Sequence, residues 1–187
     1  MQKEKLYIIP GYHESPKNLG YKQLIKSGKE KGYDVVFWEP EWKYKKMSDW
    51  VSDFSKKVGS SHQNTTVIGF SFGAFIALLA SEKTKIDKII SCSLSPYFED
   101  DINKLPDLAF KILGKRRMLE FKSTRLPKQI SAKTTFLVGS NEWPLTIRRS
   151  KISYKKIIAP KKEIFIIPDV NHNISDPNYT EKVKKYF

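Results

Sequence analysis

Cysteine is almost missing from this chain. Cys92 is the single one, so no intramolecular disulfide can form, and the expected compartment is the cytosol, where thiols stay reduced. Long apolar runs are missing as well: no stretch approaches the roughly 20 residues that a membrane helix needs. The start, Met1-Gln2-Lys3-Glu4-Lys5, passes at once into strand-like Leu6-Tyr7-Ile8-Ile9, which is too short for a secretory signal and leaves no space for a transit peptide. Histidine is scarce. His13, His62 and His172 are the only ones and lack metal-ligand spacing, so neither a metal nor an organic cofactor is expected. Internal repeats, low-complexity tracts and linkers are not found in the 187 residues, a length that suits one domain with a single core, spanning 1–187.

Negative charge is the other shortage. Twenty Asp and Glu face 34 Lys and Arg, a net charge of +14. Such an excess raises the question of nucleic-acid or anionic-membrane binding. The cations are mostly Lys spread along the whole chain, denser only at Lys115-Arg116-Arg117, Arg148-Arg149 and Lys161-Lys162. No nucleic-acid motif or basic tail accompanies them. The charge therefore reads as a solvated, Lys-rich surface. No specific nucleic acid and no membrane span are expected, while an anionic substrate stays open. Nothing in the pattern sets an oligomeric state.

Six short apolar runs rich in Val, Ile and Phe are present, at 6–9, 34–38, 65–70, 88–93, 135–138 and 163–167. That is the pattern of a parallel sheet covered on both faces. Helix-like stretches alternate with them, at 18–31, 48–58, 72–83, 145–158 and 178–187. Strands alternating with helices predict an α/β domain with right-handed crossovers. The segment 96–132 is less regular. It holds Pro106, Gly114 and Pro127, with helical pieces at 107–113 and 115–121. It is too long for a plain loop and reads as a small lid or helical insertion.

One stretch stands out: the strand-like Thr66-Val67-Ile68, the turn Gly69-Phe70-Ser71-Phe72-Gly73, and the helix-like Ala74-Phe75-Ile76-Ala77-Leu78-Leu79-Ala80. Gly-x-Ser-x-Gly between a strand and a helix is the nucleophile elbow. Ser71 must occupy a strained turn that lifts its hydroxyl clear of the sheet. Gly69 and Gly73 are needed because strand and helix pass too closely for side chains there. The Phe72 N–H opens the helix and points toward whatever Ser71 attacks.

A serine hydroxyl needs a base, and histidine is the usual one. His62 falls past a helix end, away from the strand tips. His13 follows the first strand, and His172 follows the last, in a loop free to fold over Ser71. The acid that would orient the imidazole is Glu142, after the fifth strand, with Asp169 and Glu99, Asp100 or Asp101 as alternatives. Ser71, Glu142, His172 has the order Ser…acid…His.

With these residues in place, the chain resembles the α/β-hydrolase superfamily, in particular its small members with little or no lid. The resemblance runs from Leu6 to the C-terminus. Gly69-Phe70-Ser71-Phe72-Gly73 matches the elbow, Leu137-Val138-Gly139-Ser140-Asn141-Glu142 matches the strand and loop that supply the acid, and Val170-Asn171-His172 matches the late loop that supplies the base. Ile8-Ile9-Pro10-Gly11-Tyr12 matches the loop that lends a backbone N–H to the oxyanion hole. The chain departs from the pattern in carrying Glu where Asp is usual and Asn171 where Gly is common.

The resemblance implies a minimal α/β-hydrolase fold and a serine hydrolase cleaving a carboxylic ester or thioester through an acyl-enzyme on Ser71. His172 would be the base, Glu142 the acid, and the N–H groups of Tyr12 and Phe72 the oxyanion donors. An acyltransferase or lactonase using the same triad, or a catalytically silent binding protein of the same fold, stay open as alternatives. His13, Trp42, Tyr97, Phe98 and Trp143 lie near strand ends and are candidates for a substrate pocket.

Overall fold

The computed structural model describes residues 3–59 and 64–187; His62 lies outside the described residues. All six apolar runs form strands: β1 (Lys5–Ile9), β2 (Asp34–Phe37), β3 (Thr65–Phe70), β4 (Lys88–Cys92), β5 (Lys133–Gly139) and β6 (Lys162–Ile167). They make one all-parallel sheet in the order β2-β1-β3-β4-β5-β6. Residues of β1, β3 and β4 alternate between two apolar clusters, Tyr7 and Val67 on one face, Leu6 and Ile68 on the other. That double burial is why these strands read as unbroken apolar runs.

Helices α1 (Leu19–Glu30) and α7 (Pro177–Lys184) cover the second face, where Tyr21, Leu24, Tyr179 and Val183 are buried. The first face is covered by α2 (Met47–Gly59), α3 (Phe72–Ala80) and α6 (Pro144–Lys156). Helix α3 is apolar on every side and almost wholly buried, as its composition requires. It ends at Ala80 rather than at the expected Lys83, and the residues beyond form turns. Segment 96–132 carries two short helices, α4 (Asp107–Leu113) and α5 (Lys115–Phe121). They are separated by Gly114, whose φ of +79° breaks the helical path.

From β1 the chain crosses to β2 on one side and later to β3 on the other. The crevice at the carboxyl ends of β1 and β3 is therefore the switch point at which open parallel sheets bind ligands. Ser71 follows β3 there, and Tyr12 follows β1.

Candidate active site

Ser71 has φ +55° and ψ −111°, a strained region for a non-glycine residue that holds its side chain at the head of the strand–helix turn. Its N–H donates to the Cys92 carbonyl at 2.8 Å, fixing the turn to β4. The two glycines are demanded by contact. A Cβ on Gly73 would stand 2.1 Å from the Ile9 carbonyl oxygen, and one on Gly69 2.4 Å from the Gly73 oxygen. Gly73 thus sets how closely the elbow approaches the loop after β1. Gly73→Ala is expected to push that loop away, lowering stability by about 1–3 kcal/mol and slowing the reaction of Ser71 with a fluorophosphonate. Urea melts and the labelling rate measure the two effects separately.

His172 and Glu142 meet across the ends of β6 and β5. Glu142 Oε2 lies 2.7 Å from His172 Nδ1. Glu142 Oε1 accepts from Ser93 Oγ at 2.6 Å and from the Gly139 N–H at 2.7 Å. The carboxylate is buried while the imidazole is partly open to solvent. The loops carrying them are tied by Asn141 N–H donating to the Val170 carbonyl at 3.0 Å, and the His172 ring packs 4.8 Å from that of Phe70. The longer Glu is accommodated because Ser93, at φ +50°, brings a hydroxyl to its far oxygen.

Behind Ser93 stands Tyr179 of α7. Its hydroxyl lies 2.6 Å from Ser93 Oγ and 3.0 Å from the Leu137 carbonyl. Burial raises its pKa well above the ordinary phenol range, with Cys92 and Glu142 nearby adding to the effect. It stays a neutral phenol at working pH. Removing it leaves Ser93 short of a partner, so Tyr179→Phe is expected to lower stability by roughly 1 kcal/mol. Its kcat should fall far less than that of a Glu142 variant; kinetics and denaturation on the same preparation test both.

Ser71, His172, Tyr12 and Phe72 line one cavity of about 370 Å³ together with Ser95, Tyr97, Ile112, Trp143 and others. The Ser71 hydroxyl is hydrogen-bonded to Ser95 Oγ at 3.0 Å, and no hydrogen bond joins it to His172 among the described residues. The Phe72 N–H is the first of α3 and has no intrahelical acceptor. The Tyr12 N–H donates to nothing among the described residues. The ring of Tyr12 packs 5.4 Å from that of Phe72, and its hydroxyl accepts from Arg117 of α5 at 2.7 Å.

A model of the serine hydrolase family matches residues 6–144, well over half of the chain. The chain belongs to the serine hydrolase family. No curated protein matches it. Solved structures resemble this serine hydrolase in fold at low identity. Alpha/beta hydrolase domain-containing protein 10 from mouse is 13% identical with a TM-score of 0.79, covering 98% of this chain and 88% of that one. Est1E from Butyrivibrio proteoclasticus is 16% identical with a TM-score of 0.78, covering 98% and 87%. A putative hydrolase from Agrobacterium vitis S4 is 12% identical with a TM-score of 0.77, covering 98% and 88%. The α/β-hydrolase fold is thus shared by proteins whose sequences have diverged almost completely.

The aromatic pocket expected for this serine hydrolase needs correction at three positions. Tyr97 and Trp143 line the cavity, but Trp42, Phe98 and His13 do not. Trp42 is buried against Trp50, with ring centres 5.0 Å apart, and its carbonyl accepts from Arg117. Phe98 is core, its ring 4.3 Å from that of Phe75 and beneath the Arg149 guanidinium. His13, at φ +59°, is turned into an exposed position beside the Tyr12 ring. Their places are filled by Ala109, Ile112 and Leu113 of α4.

Three of the other acids are engaged elsewhere: Glu99 pairs with Arg125, Asp100 with Lys156 and Asp101 with Arg149. Asp169 is exposed, and its backbone N–H donates to Ser140 Oγ. Glu14, which sequence reasoning passed over, lines the cavity and accepts from the Gly11 N–H at 2.8 Å and from the Tyr21 hydroxyl. Among the described residues no group of three or more His, Cys, Asp or Glu comes together to hold a metal. Cys92 is buried beneath the elbow, where burial pushes its thiol pKa up, so it is no rival to Ser71 as a nucleophile.

Proposed function

We propose that this serine hydrolase cleaves a carboxylic ester or thioester through an acyl-enzyme on Ser71. The observation that carries the reading is the 2.7 Å contact of Glu142 with His172 Nδ1, made in the same cavity as a serine on a strained turn. With Nδ1 held by a carboxylate, His172 presents Nε2 as the free nitrogen. The Ser71 hydroxyl turns from Ser95 to His172 when substrate enters. Its proton passes to Nε2 as Oγ bonds to the acyl carbon, and the oxyanion takes the N–H groups of Tyr12 and Phe72. The tetrahedral adduct collapses, and Nε2 returns the proton to the departing alcohol or thiol. Water then repeats the sequence from the other side: His172 takes its proton, hydroxide adds to the acyl carbon, and Ser71 leaves with the proton restored.

The cavity wall is mainly apolar, formed by Tyr97, Ile112, Leu113, Phe72 and Trp143 around the hydroxyl. Its volume of about 370 Å³ suits an acyl group of modest size. The test is intact-protein mass after fluorophosphonate treatment of the native chain and of Ser71→Ala, followed by an ester and thioester panel. One adduct on the native chain, none on the variant and turnover of a short acyl ester are expected. A native chain that takes no label overturns the reading.

A further inference from the structure

The mouth of the cavity carries a surface that hydrolysis alone does not require. Helix α4 turns Leu108 and Ile112, one helical turn apart, out to solvent at 62% and 58% exposure, and Trp143 stands 41% exposed beside the same opening. Ile112 and Trp143 also line the cavity, so the apolar surface continues from outside to inside. Exposed cations lie near it: Lys111 is on α4 between Leu108 and Ile112, Lys104 ends the short 3-10 turn before α4, and Lys115 opens α5 beyond Gly114. None of these three lysines forms an ion pair among the described residues. Asp107 is the exposed acid on α4, and Glu120 of α5 is turned away to Lys46 and the start of α2. Lys104 Nζ donates to the Asp100 carbonyl at 3.2 Å, so its charge, like those of Lys111 and Lys115, meets no carboxylate among the described residues. Large apolar side chains in water, beside such lysines on a chain of net charge +14, are costly unless something covers them.

We infer that this face of α4 and Trp143 docks on an anionic lipid surface, setting the cavity mouth against the bilayer. The chemistry is that of an interfacial helix: apolar side chains enter the acyl boundary while lysine stems lie along it and their ammonium groups reach the lipid phosphates. Charge selects the leaflet, since each lysine near an anionic surface is attracted to it. A lipid surface offers both chemistries at once, acyl chains for Leu108 and Ile112 and phosphates for the lysines, and this charge complementarity favours the membrane over an acidic protein. Ile112 and Trp143 also form part of the cavity wall, but none of the six residues carries the acyl group or moves a proton in the proposed reaction, so docking can be tested apart from it.

The test is co-sedimentation of the full chain with vesicles of equal parts phosphatidylglycerol and phosphatidylcholine, against phosphatidylcholine alone, at about 0.1 M salt. Native protein and Ser71→Ala are expected to bind the anionic vesicles equally and the neutral ones at least tenfold more weakly. Lys111→Glu/Lys115→Glu should weaken anionic binding by about tenfold or more. Leu108→Ser/Ile112→Ser should weaken it several-fold and abolish whatever binding persists at high salt. Circular dichroism confirms that both exposed pairs of changes leave the fold intact. Equal binding to the two vesicle types, no binding to the anionic ones, or indifference to either pair overturns the inference. So does binding to soluble polyglutamate as tight as to the vesicles and unaffected by Leu108→Ser/Ile112→Ser, which would indicate an acidic protein partner. A native chain that binds vesicles but takes no fluorophosphonate retains the docking surface and loses only the acyl chemistry.

Discussion

Ser71→Ala is expected to lower kcat toward a short acyl ester by about 10⁶-fold, and Glu142→Gln by about 10⁴-fold. The first change removes the atom that would carry the acyl group. The second keeps the shape and removes the charge. A glutamine amide facing His172 Nδ1 can donate to it, which selects the tautomer with the proton on Nε2 and leaves no base for Ser71. Glu142 is buried and takes hydrogen bonds from Ser93 and Gly139 as well as meeting His172, so the neutral amide also sets its N–H₂ or its oxygen against the wrong partner. The losses should not add: Ser71→Ala/Glu142→Gln should be no slower than Ser71→Ala, because the acid acts only through the serine. Steady-state rates of the three variants decide it. If Glu142→Gln costs less than tenfold while Asp169→Ala costs more, the acid has been assigned to the wrong loop.

The reach of sequence reasoning follows the range of the interactions. The central strands are legible because they are buried on both faces, so a short run such as Thr65–Phe70 is almost wholly apolar; the edge strands β2 and β6 are only partly buried and show through their Val, Ile and Phe content. The elbow is legible because Gly69, Ser71 and Gly73 lie within five residues; the clash that forbids a Cβ on Gly69 is local, with the Gly73 carbonyl, while that on Gly73 is with the distant Ile9 carbonyl. His172 stood out in a chain poor in histidine. What escaped depends on contacts between distant segments. Ser93 and Tyr179 are 86 residues apart and meet at 2.6 Å, and neither has a local signature. Trp42 and Phe98 were misplaced for the same reason. An aromatic near a strand end is equally consistent with the core and with a cavity wall, and only packing against Trp50 or Phe75 decides between them. The positive charge reads as diffuse in the sequence because nothing local shows that Lys104, Lys111 and Lys115, from three separate elements, stand near the exposed Leu108 and Ile112.

Asp101→Ala is expected to be the most destabilising single change outside the elbow, at about 3–5 kcal/mol. Asp101 ends the loop after β4 and is wholly buried, with Arg149 Nη2 of α6 at 2.7 Å from its Oδ2 and Arg148 at 3.3 Å from Oδ1. Arg149 is equally buried, stacked 4.8 Å from the Phe98 ring. Without the carboxylate its guanidinium has no counter-charge and no route to water, and an unpaired buried cation costs far more than the pair was worth. The pair also joins two cavity walls, since the Asp101 loop carries Ser95 and Tyr97 while α6 begins at Pro144, beside Trp143. Asp101→Ala should therefore lower the melting temperature by roughly 10 °C and loosen substrate binding as well. Arg149→Met alone strands the carboxylate instead and should also destabilise, less severely because Arg148 remains to pair with it. Asp101→Ala/Arg149→Met removes both charges and should regain most of the lost stability. Urea denaturation of the three variants separates the cases. If the double variant is no more stable than Asp101→Ala, the cost lies in packing around the loop, and charge burial is not its cause.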